Sequence, residues 1–250
     1  MDADEGLSRL RALGFGDADA QELWTHFDAA ERRGKQGHGH ARIPWLESLE
    51  GYDPSAEPSL LEEEDGFQRW HGGGAIGYLV LGRVVRAQLE RPPAHARLVV
   101  CERTFPTGML GHHVRRLADG GLVAVLTATS PRRLGHPYAG SAPKLAGTNP
   151  LAIGIPSSSG GPIVADVSMG AITWGDVVAG LAQEDELVPF GGEQAHKAFA
   201  LAVGLQLLVG SLVGEEHGAV LLVARPEADP VPGLRARAGG VRLPGDRSRG

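Results

Sequence analysis

The chain has 250 residues, a formal net charge of −6 and a single cysteine. This length can bury one sizeable core or two small ones, and an apolar share of 42% with a charged share of 22% is ordinary for a globular protein. The acidic balance argues against nucleic acid as a partner, because a phosphate-binding face needs excess Lys and Arg. Basic pairs such as Arg115-Arg116 are interpreted as solvated surface.

The same features predict a cytoplasmic protein that does not engage a membrane. The N-terminus is acidic, unlike a signal or transit peptide, and no apolar run is expected to reach the roughly 20 residues of a membrane span. Cys101, in an apolar strand pattern, is predicted to be a buried thiol. No metal is expected, because the histidine pairs His38-x-His40 and His112-His113 lack carboxylate partners at useful spacing.

The N-terminal third is predicted to be mainly helical. Apolar stripes indicate two short helices within residues 5–34, with Asp17 as the N-cap of the second. Residues 35–50 are predicted to form a turn that runs into a helix. The acidic, Pro-bearing stretch 51–65 is interpreted as an exposed loop.

Helices and strands alternate from residue 74 onward. The predicted elements are a helix over 74–90, a strand over 96–101, a short helix over 114–118, a buried strand over 122–126, a hairpin over 151–167, a helix over 195–213 and a strand over 219–224. The Pro-, Gly- and Arg-rich end predicts an irregular tail. The fold class is therefore α/β or α+β, and no Gly-x-Gly-x-x-Gly follows a strand, so a Rossmann fold is not indicated.

Three parts are expected along the chain. Residues 1–95 form a helical N-terminal part that carries a His/Arg turn. Residues 96–224 form a sheet-containing part for cofactor and substrate. Residues 225–250 form the irregular C-terminal tail.

Two polar clusters could carry chemistry. In the first, His38 can exchange a proton near neutral pH, and Arg42, four positions later, offers a planar fork for a carboxylate. A solvated basic loop is the alternative interpretation. In the second, the turn at 147–150 leads into a hairpin whose second strand ends on Asp166, which on physical grounds is only a hairpin with a polar edge.

The sequence of these segments resembles that of the malate/L-lactate dehydrogenase family, whose members are NAD(P)H oxidoreductases without a Rossmann fold. The resemblance is carried by Gly37-His38-Gly39-His40-Ala41-Arg42, by Thr107-Gly108-Met109-Leu110-Gly111, by Gly147-Thr148-Asn149-Pro150, by Asp166 and by Val241-Arg242-Leu243-Pro244-Gly245-Asp246. It implies an α/β fold with a mostly antiparallel sheet and flanking helices, assembled as a homodimer. It also implies NADH or NADPH as the cofactor.

The resemblance also implies roles for individual residues. His38 would be the proton donor, Arg42 the anchor of the substrate carboxylate, Asp166 the acid that orients His38, and Thr129 a neighbour of the substrate. The residues implied to contact the cofactor are Thr107, Gly108, Met109, Leu110, Gly147, Thr148, Asn149 and Lys197, the last through a phosphate.

Three departures from the family pattern stand out. Gly37 replaces the family's Ser, and Pro106 occupies the position of its second His. His112 and His113 fall on positions of family aromatic residues and are interpreted as helix-surface histidines. The loss of the second His favours imine reduction over alcohol oxidation.

The sequence thus predicts hydride transfer from NAD(P)H to a C=N or C=O carbon beside a carboxylate in a small acid. Two alternatives stay open. The chain could be a cofactor-free relative that catalyses isomerisation, cyclisation or elimination, or a non-catalytic partner in a heterodimer.

Overall fold

Seven strands form one sheet in the computed structural model, which describes residues 1–140, 143–214 and 217–246. The strands are β1 (Ser59–Glu64), β2 (Phe67–His71), β3 (Ala96–Glu102), β4 (Val123–Ala128), β5 (Leu151–Ile155), β6 (Ile163–Val167) and β7 (Gly218–Ala224). Their order is β1-β2-β3-β7-β4-β5-β6. Within this described sheet β2 and β3 pair in parallel and the other neighbours are antiparallel, which confirms a mostly antiparallel α/β fold.

Helices flank the sheet on both faces. They are α1 (Ala3–Ala12), α2 (Asp17–Glu31), α3 (Arg42–Ser48), α4 (Gly77–Glu90), α5 (Leu110–Asp119), α6 (Trp174–Val178), α7 (Ala195–Val213) and α8 (Val231–Ala238). Short 3-10 turns cover Gln36–His38, Glu184–Glu186 and Gly192–Gln194.

The main core lies between the sheet and the helix pair α4 and α5. Because side chains alternate across a strand, Val99 and Cys101 of β3 face this core while Val100 faces the other side. The predicted burial of Cys101 is confirmed, and burial raises the pKa of its thiol to about 12. A second core joins α1, α2 and α3 to the first turn of α4, through side chains that include Leu10, Phe27, Ile43 and Leu79.

Helix α7 covers the opposite face of the sheet and is itself poorly covered. Val209 and Val213 pack on Val100 and Val220, whereas Leu207 is 64% exposed. The segment Gly192–Val213 is long and apolar enough to cross a membrane by length and composition, and most of it is not buried. The expectation that no apolar run approaches that length was therefore wrong.

Three other expectations are corrected. The stretch predicted as an exposed loop contains β1, which the sequence hides because all but one of its residues are exposed and its second half is acidic. The predicted irregular tail contains α8, a helix with Pro in its first turn and the left-handed Gly239 after its end. Asp17 is the first residue of α2, and Gly16 occupies the N-cap.

The division proposed at residue 95 does not separate layers of the fold. Strands β1 and β2 precede it, yet they belong to the same sheet as the five later strands. The N-terminal helices and the sheet meet at one side of the molecule, and the predicted site lies there.

Candidate active site

A cavity of about 290 Å³ lies between the N-terminal helices and the loops at one end of the sheet. Six stretches of chain contribute its lining: 34–45, Tyr78, 105–109, 129–130, 148–150 and 166–176. It therefore brings together residues that are far apart in sequence, and it includes both His38 and Arg42 as predicted.

Arg42 is the dominant charge of this cavity. The residue is 5% exposed, and its guanidinium lies 4.6 Å from the centre of the Trp45 ring. Its Nε has no hydrogen-bond partner, and no carboxylate pairs with it within the described part of the chain. A buried cation is costly unless it is paired, so this position favours an anionic ligand that offers two oxygens to the fork.

His38 lies in the same cavity but is held neutral. It ends the 3-10 turn that precedes Arg42, the first residue of α3, so the two side chains converge without sharing one helix. Burial, with the charges of Arg42 and Lys35, lowers the pKa of His38 to about 3. The imidazole can therefore accept a proton or donate one N–H hydrogen bond, but it is not an imidazolium at neutral pH.

Asp166 lines the cavity without holding His38. Its Oδ2 lies 3.6 Å from the Nζ of Lys35, whereas Nδ1 of His38 is buried with no partner among the described residues. Among the described side chains, Asp166 and His38 do not pair. The pairing expected from the sequence would have raised the pKa of His38. The lowered pKa reflects burial beside two cations instead.

Gly37 is required by the packing of α6. A Cβ at this position would lie 2.6 Å from the backbone nitrogen of Asp176 and 2.7 Å from the carbonyl carbon of Gly175. A Cβ on Gly175 would in turn lie 2.5 Å from Nη2 of Arg42. The family's Ser is thus replaced here by the one residue that lets α6 close over the His38–Arg42 turn.

Only some of the residues predicted to contact the cofactor line the cavity. Thr107, Gly108, Met109 and Thr148 line the cavity, as does Thr129, whose Oγ1 accepts from the backbone nitrogen of Gly218 at 3.0 Å. Leu110 is fully buried in the main core and is not among the lining residues. Lys197 is exposed in the first turn of α7 and is also not among them.

Gly147 and Asn149 anchor the turn to α7 rather than facing the cavity. The Nδ2 of Asn149 donates to the carbonyl of Ala202 at 2.9 Å and to Oε1 of Gln206 at 3.0 Å. The backbone nitrogen of Gly147 donates to the same Gln206 oxygen at 3.1 Å. These polar groups are therefore committed to the fold, and the residues of this turn that line the cavity are Thr148 and Pro150.

A second groove, of about 350 Å³, adjoins the cavity and shares Lys35, Met109 and Asp166 with it. Its cationic lining residues are Arg33, Lys35, Arg115 and Arg242. Nη2 of Arg115 donates to the carbonyl of Gly245 at 2.5 Å. Arg115 is thus part of this groove, and its interpretation as solvated surface was wrong.

The groove suits a phosphate-bearing cofactor. Its four cations outnumber its two carboxylates, Asp166 and Asp246, and it includes Gly111 in the first turn of α5, where backbone N–H groups and the helix dipole favour anions. A residue larger than glycine at position 245 would narrow the groove, since its Cβ would lie 2.8 Å from both Nη2 of Arg115 and the backbone nitrogen of Val164. It lies where the C-terminal Pro-Gly-Asp segment meets β6.

His112 and His113 are buried, which corrects their interpretation as surface residues. With His26 they form a cluster whose ring centres are 4.5 to 5.5 Å apart. Burial is the main cause that lowers the pKa of His112 to about 3 and the pKa of His26 and His113 well below the usual value. Nε2 of His26 accepts from the backbone nitrogen of Met109 at 3.0 Å, so the cluster supports the cavity wall.

Sequence reasoning missed several cavity residues, notably Tyr78, Lys35, Trp174 and Asp176. Tyr78 lies in a helix whose apolar pattern indicates packing only. Lys35 gave a weak signal, because it begins the turn that carries His38. The sequence around Trp174 and Asp176 gave no signal of a site, because the position of these residues follows from how α6 packs on residue 37.

The comparisons with known proteins agree with this architecture. The profile of the malate/L-lactate dehydrogenase family matches residues 6–187. The chain belongs to the malate/L-lactate dehydrogenase family. A Δ1-pyrroline-2-carboxylate reductase from Pseudomonas fluorescens is 30% identical, with 82% of this chain and 68% of that protein covered. A malate/(S)-sulfolactate dehydrogenase from Methanothermus fervidus is 23% identical, with coverage of 84% and 68%.

A solved structure supports the same assignment. The Δ1-piperideine-2-carboxylate reductase from Pseudomonas syringae pv. tomato superimposes with a TM-score of 0.83 at 26% identity, covering 98% of this chain and 89% of that one. The protein is accordingly an oxidoreductase of this family, and its cofactor is a nicotinamide dinucleotide.

Proposed function

We propose that this family member reduces the C=N or C=O carbon next to a carboxylate in a small 2-imino or 2-oxo acid. The observation that carries the proposal is Arg42, a buried guanidinium without a carboxylate partner in the described chain, at the wall of a 290 Å³ cavity. The cavity volume suits a small ring or short chain, and the planar fork suits a carboxylate.

Each cavity residue has a defined task in this proposal. Arg42 binds the carboxylate and fixes the orientation of the adjacent carbon. His38, a neutral imidazole on the same wall, hydrogen-bonds the substrate beside the reacting carbon. The bound cofactor, NADH or NADPH, supplies the hydride. Trp45 and Trp174 border the cavity and limit the access of water to it.

The cationic groove is the proposed binding place for the cofactor phosphates. Arg115, Arg242 and the first turn of α5 offer positive charge and backbone donors there. Met109 and Asp166 lie on both the groove and the cavity, so a dinucleotide in the groove would reach the substrate. In this proposal the residues of the groove contact the cofactor in place of Lys197 and Asn149.

An imino acid is the favoured substrate. The relative from Pseudomonas fluorescens is named as a reductase of pyrroline-2-carboxylate, and another from Pseudomonas aeruginosa, 29% identical, as a reductase of pyrroline- and piperideine-2-carboxylate. Pro106 lines the cavity at the position where the resemblance implies a second His. An imine, once protonated, needs less further assistance than a carbonyl to accept hydride, which fits a site with fewer histidines.

A cofactor titration tests the proposal, because Trp45 and Trp174 line the cavity and report binding by fluorescence. NADH or NADPH should bind with a micromolar dissociation constant, about −8 kcal/mol. Arg115→Glu should weaken binding strongly, whereas Arg237→Glu, an exposed charge reversal outside the groove, should not. If neither cofactor binds at millimolar concentration, the redox proposal fails and the cofactor-free alternative replaces it.

We also propose that the chain forms a homodimer through α7. The exposed apolar side chains of this helix include Leu201, Leu207 and Leu208. Contiguous apolar surface of this kind marks an interface. We favour a second copy of this chain as the partner that covers α7. The helix is hydrogen-bonded to the Gly147–Asn149 turn, so its burial in a dimer would also stabilise the cavity.

A further inference from the structure

The hydroxyl of Tyr78 is a polar group of the cavity to which the preceding account gives no task. Tyr78 is the second residue of α4 and is 2% exposed. Its Oη is buried and has no hydrogen-bond partner among the described residues, and the residue lines the 290 Å³ cavity. A buried hydroxyl without a partner costs free energy, so its retention at this wall points to a ligand atom that accepts from it.

The ring that carries this hydroxyl is fixed by its neighbours. It meets His26 edge to face at 5.0 Å and Phe27 at 5.2 Å between ring centres. A Cβ on Gly108 would lie 2.8 Å from Cδ1 of Tyr78, so glycine is needed at 108 for the ring to lie against that backbone. Burial raises the pKa of Tyr78 despite the opposing charge of Arg42, and the hydroxyl therefore stays protonated as a donor.

Tyr78 also lines the same cavity as the segment where the resemblance implies a second His. The first residue of α4, Gly77, packs so closely that its Cβ would lie 2.5 Å from the carbonyl of Thr104 and 2.7 Å from that of Pro106. Pro106 can neither donate nor accept a proton through its side chain. Tyr78 thus brings a hydrogen-bond donor to a cavity to which the side chain of Pro106 brings none.

We propose that Tyr78 is a catalytic residue that donates a hydrogen bond, and then its proton, to the imine nitrogen or carbonyl oxygen of the substrate. The inference rests on the proposed function. As hydride from the reduced nicotinamide reaches the carbon, the π electron pair of C=N or C=O moves to the heteroatom. The O–H bond of Tyr78 breaks and a bond from that hydrogen to the heteroatom forms. The phenolate left behind is stabilised by the nearby charge of Arg42 and regains a proton from solvent.

A pair of redox-inert probes tests this assignment without cofactor. Picolinate carries a ring nitrogen that accepts a hydrogen bond next to its carboxylate, and benzoate has the same shape without that nitrogen. Calorimetry on the full chain, with a chelator present, should give about three- to tenfold tighter binding of picolinate, the contribution of one neutral hydrogen bond. Tyr78→Phe should abolish this preference and leave the affinity for benzoate unchanged.

The matched control is Tyr52→Phe, because the hydroxyl of Tyr52 already donates to the carbonyl of Leu46 at 3.3 Å and lies outside this cavity. It should keep the preference for picolinate. The melting temperature of Tyr78→Phe should equal or exceed that of the wild type, since the variant removes only a buried hydroxyl without a protein partner.

The outcomes separate this inference from the proposed function. Binding of both probes with an unchanged picolinate preference in Tyr78→Phe overturns the role of Tyr78 alone. A lowered melting temperature in that variant shows a structural hydroxyl and also overturns it. Failure of the wild type to bind either carboxylate overturns the proposed function, and the inference with it.

Discussion

At the scale of single residues, Arg42 and His38 share a cavity but differ in charge state. Arg42 is a buried cation, whereas burial beside Arg42 and Lys35 keeps His38 neutral. A positive imidazole next to Arg42 would be repelled by it, so Arg42 supplies the charge that binds the substrate and His38 supplies a neutral hydrogen-bonding group. Substitutions at the two positions should therefore affect different kinetic constants.

Arg42→Ala should weaken substrate binding, and His38→Ala should slow turnover. A lost charge-assisted hydrogen bond costs roughly 1.5–3 kcal/mol, or about ten- to hundredfold in KM. Loss of the neutral hydrogen bond that His38 makes to the substrate near the reacting carbon should lower kcat by about three- to tenfold. Steady-state kinetics with saturating cofactor measures both constants. Equal losses in both constants for both variants would contradict the division of roles.

His40→Ala is the matched control within the same turn, and it should affect stability instead. His40 stacks on Trp24 at 4.7 Å, and its Nε2 lies 3.6 Å from Oδ1 of Asp28. Loss of these contacts should lower the free energy of unfolding by about 1 kcal/mol or more. Urea unfolding measures the change. A large loss of kcat with unchanged stability would show that His40 takes part in the reaction.

The sequence located the residues of the site better than it located their contacts. His38 and Arg42 were predicted because a proton-exchanging group and a guanidinium in one turn are chemically distinctive. The hydrogen bonds from Asn149 to α7 depend on packing between segments more than 50 residues apart. A local sequence motif does not reveal such packing. Tyr78 was missed for the same reason, because only the fold brings it against Gly108.

At the scale of elements, the contact between α6 and residue 37 controls the shape of the site. Gly37→Ser, which would restore the family residue, places a side chain against the backbone of Gly175 and Asp176. It should displace α6 and cost about 1–3 kcal/mol, as overpacking does. Gly161→Ala, where a Cβ meets nothing within 4 Å, is the control. Thermal unfolding measures both variants, and unchanged stability of Gly37→Ser would contradict the packing account.

The contact of α2 with α5 should be sensitive to pH. His26, His112 and His113 have lowered pKa values in the folded protein, so the unfolded chain binds more protons below about pH 6.5. The free energy of unfolding should be highest above that pH. It should fall as the pH decreases, by up to about 1.4 kcal/mol per pH unit for each histidine. Urea unfolding at about pH 7.5 and about pH 5.5 tests this.

The matched variant for the pH prediction is His113→Gln, which removes one titrating group. Its free energy of unfolding should depend less steeply on pH than that of the wild type. Identical slopes in the two proteins would indicate that His113 is not held neutral by burial.

Elements with strong apolar patterns were predicted well. The bounds of α7 follow from an almost continuous apolar run, and the hairpin of β5 and β6 from its two apolar strands and Ser/Gly turn. Strand β1 was missed because it pairs through its backbone at the sheet edge and exposes its acidic side chains. His113 could have been placed inside, because it is three residues after Leu110 and four before Leu117, both fully buried.

At the scale of the whole molecule, the exposed face of α7 should be buried between two chains. Light scattering at micromolar concentration should give the mass of a dimer. Leu207→Glu should shift it to a monomer, whereas Leu61→Glu, at an exposed leucine on the edge strand β1, should not. A monomer mass for the wild type would contradict the dimer. Co-flotation with lipid vesicles would instead assign the helix to a membrane surface.

The measurement that tests the central claim most directly is oxidation of NADPH or NADH, followed by absorbance, with Δ1-pyrroline-2-carboxylate and with pyruvate as substrates. We expect oxidation that depends on the substrate, is faster with the imino acid and falls about ten- to hundredfold in kcat/KM for Arg42→Ala. The account would be contradicted if the protein bound cofactor yet oxidised it with neither substrate, or if Arg42→Ala matched the wild type.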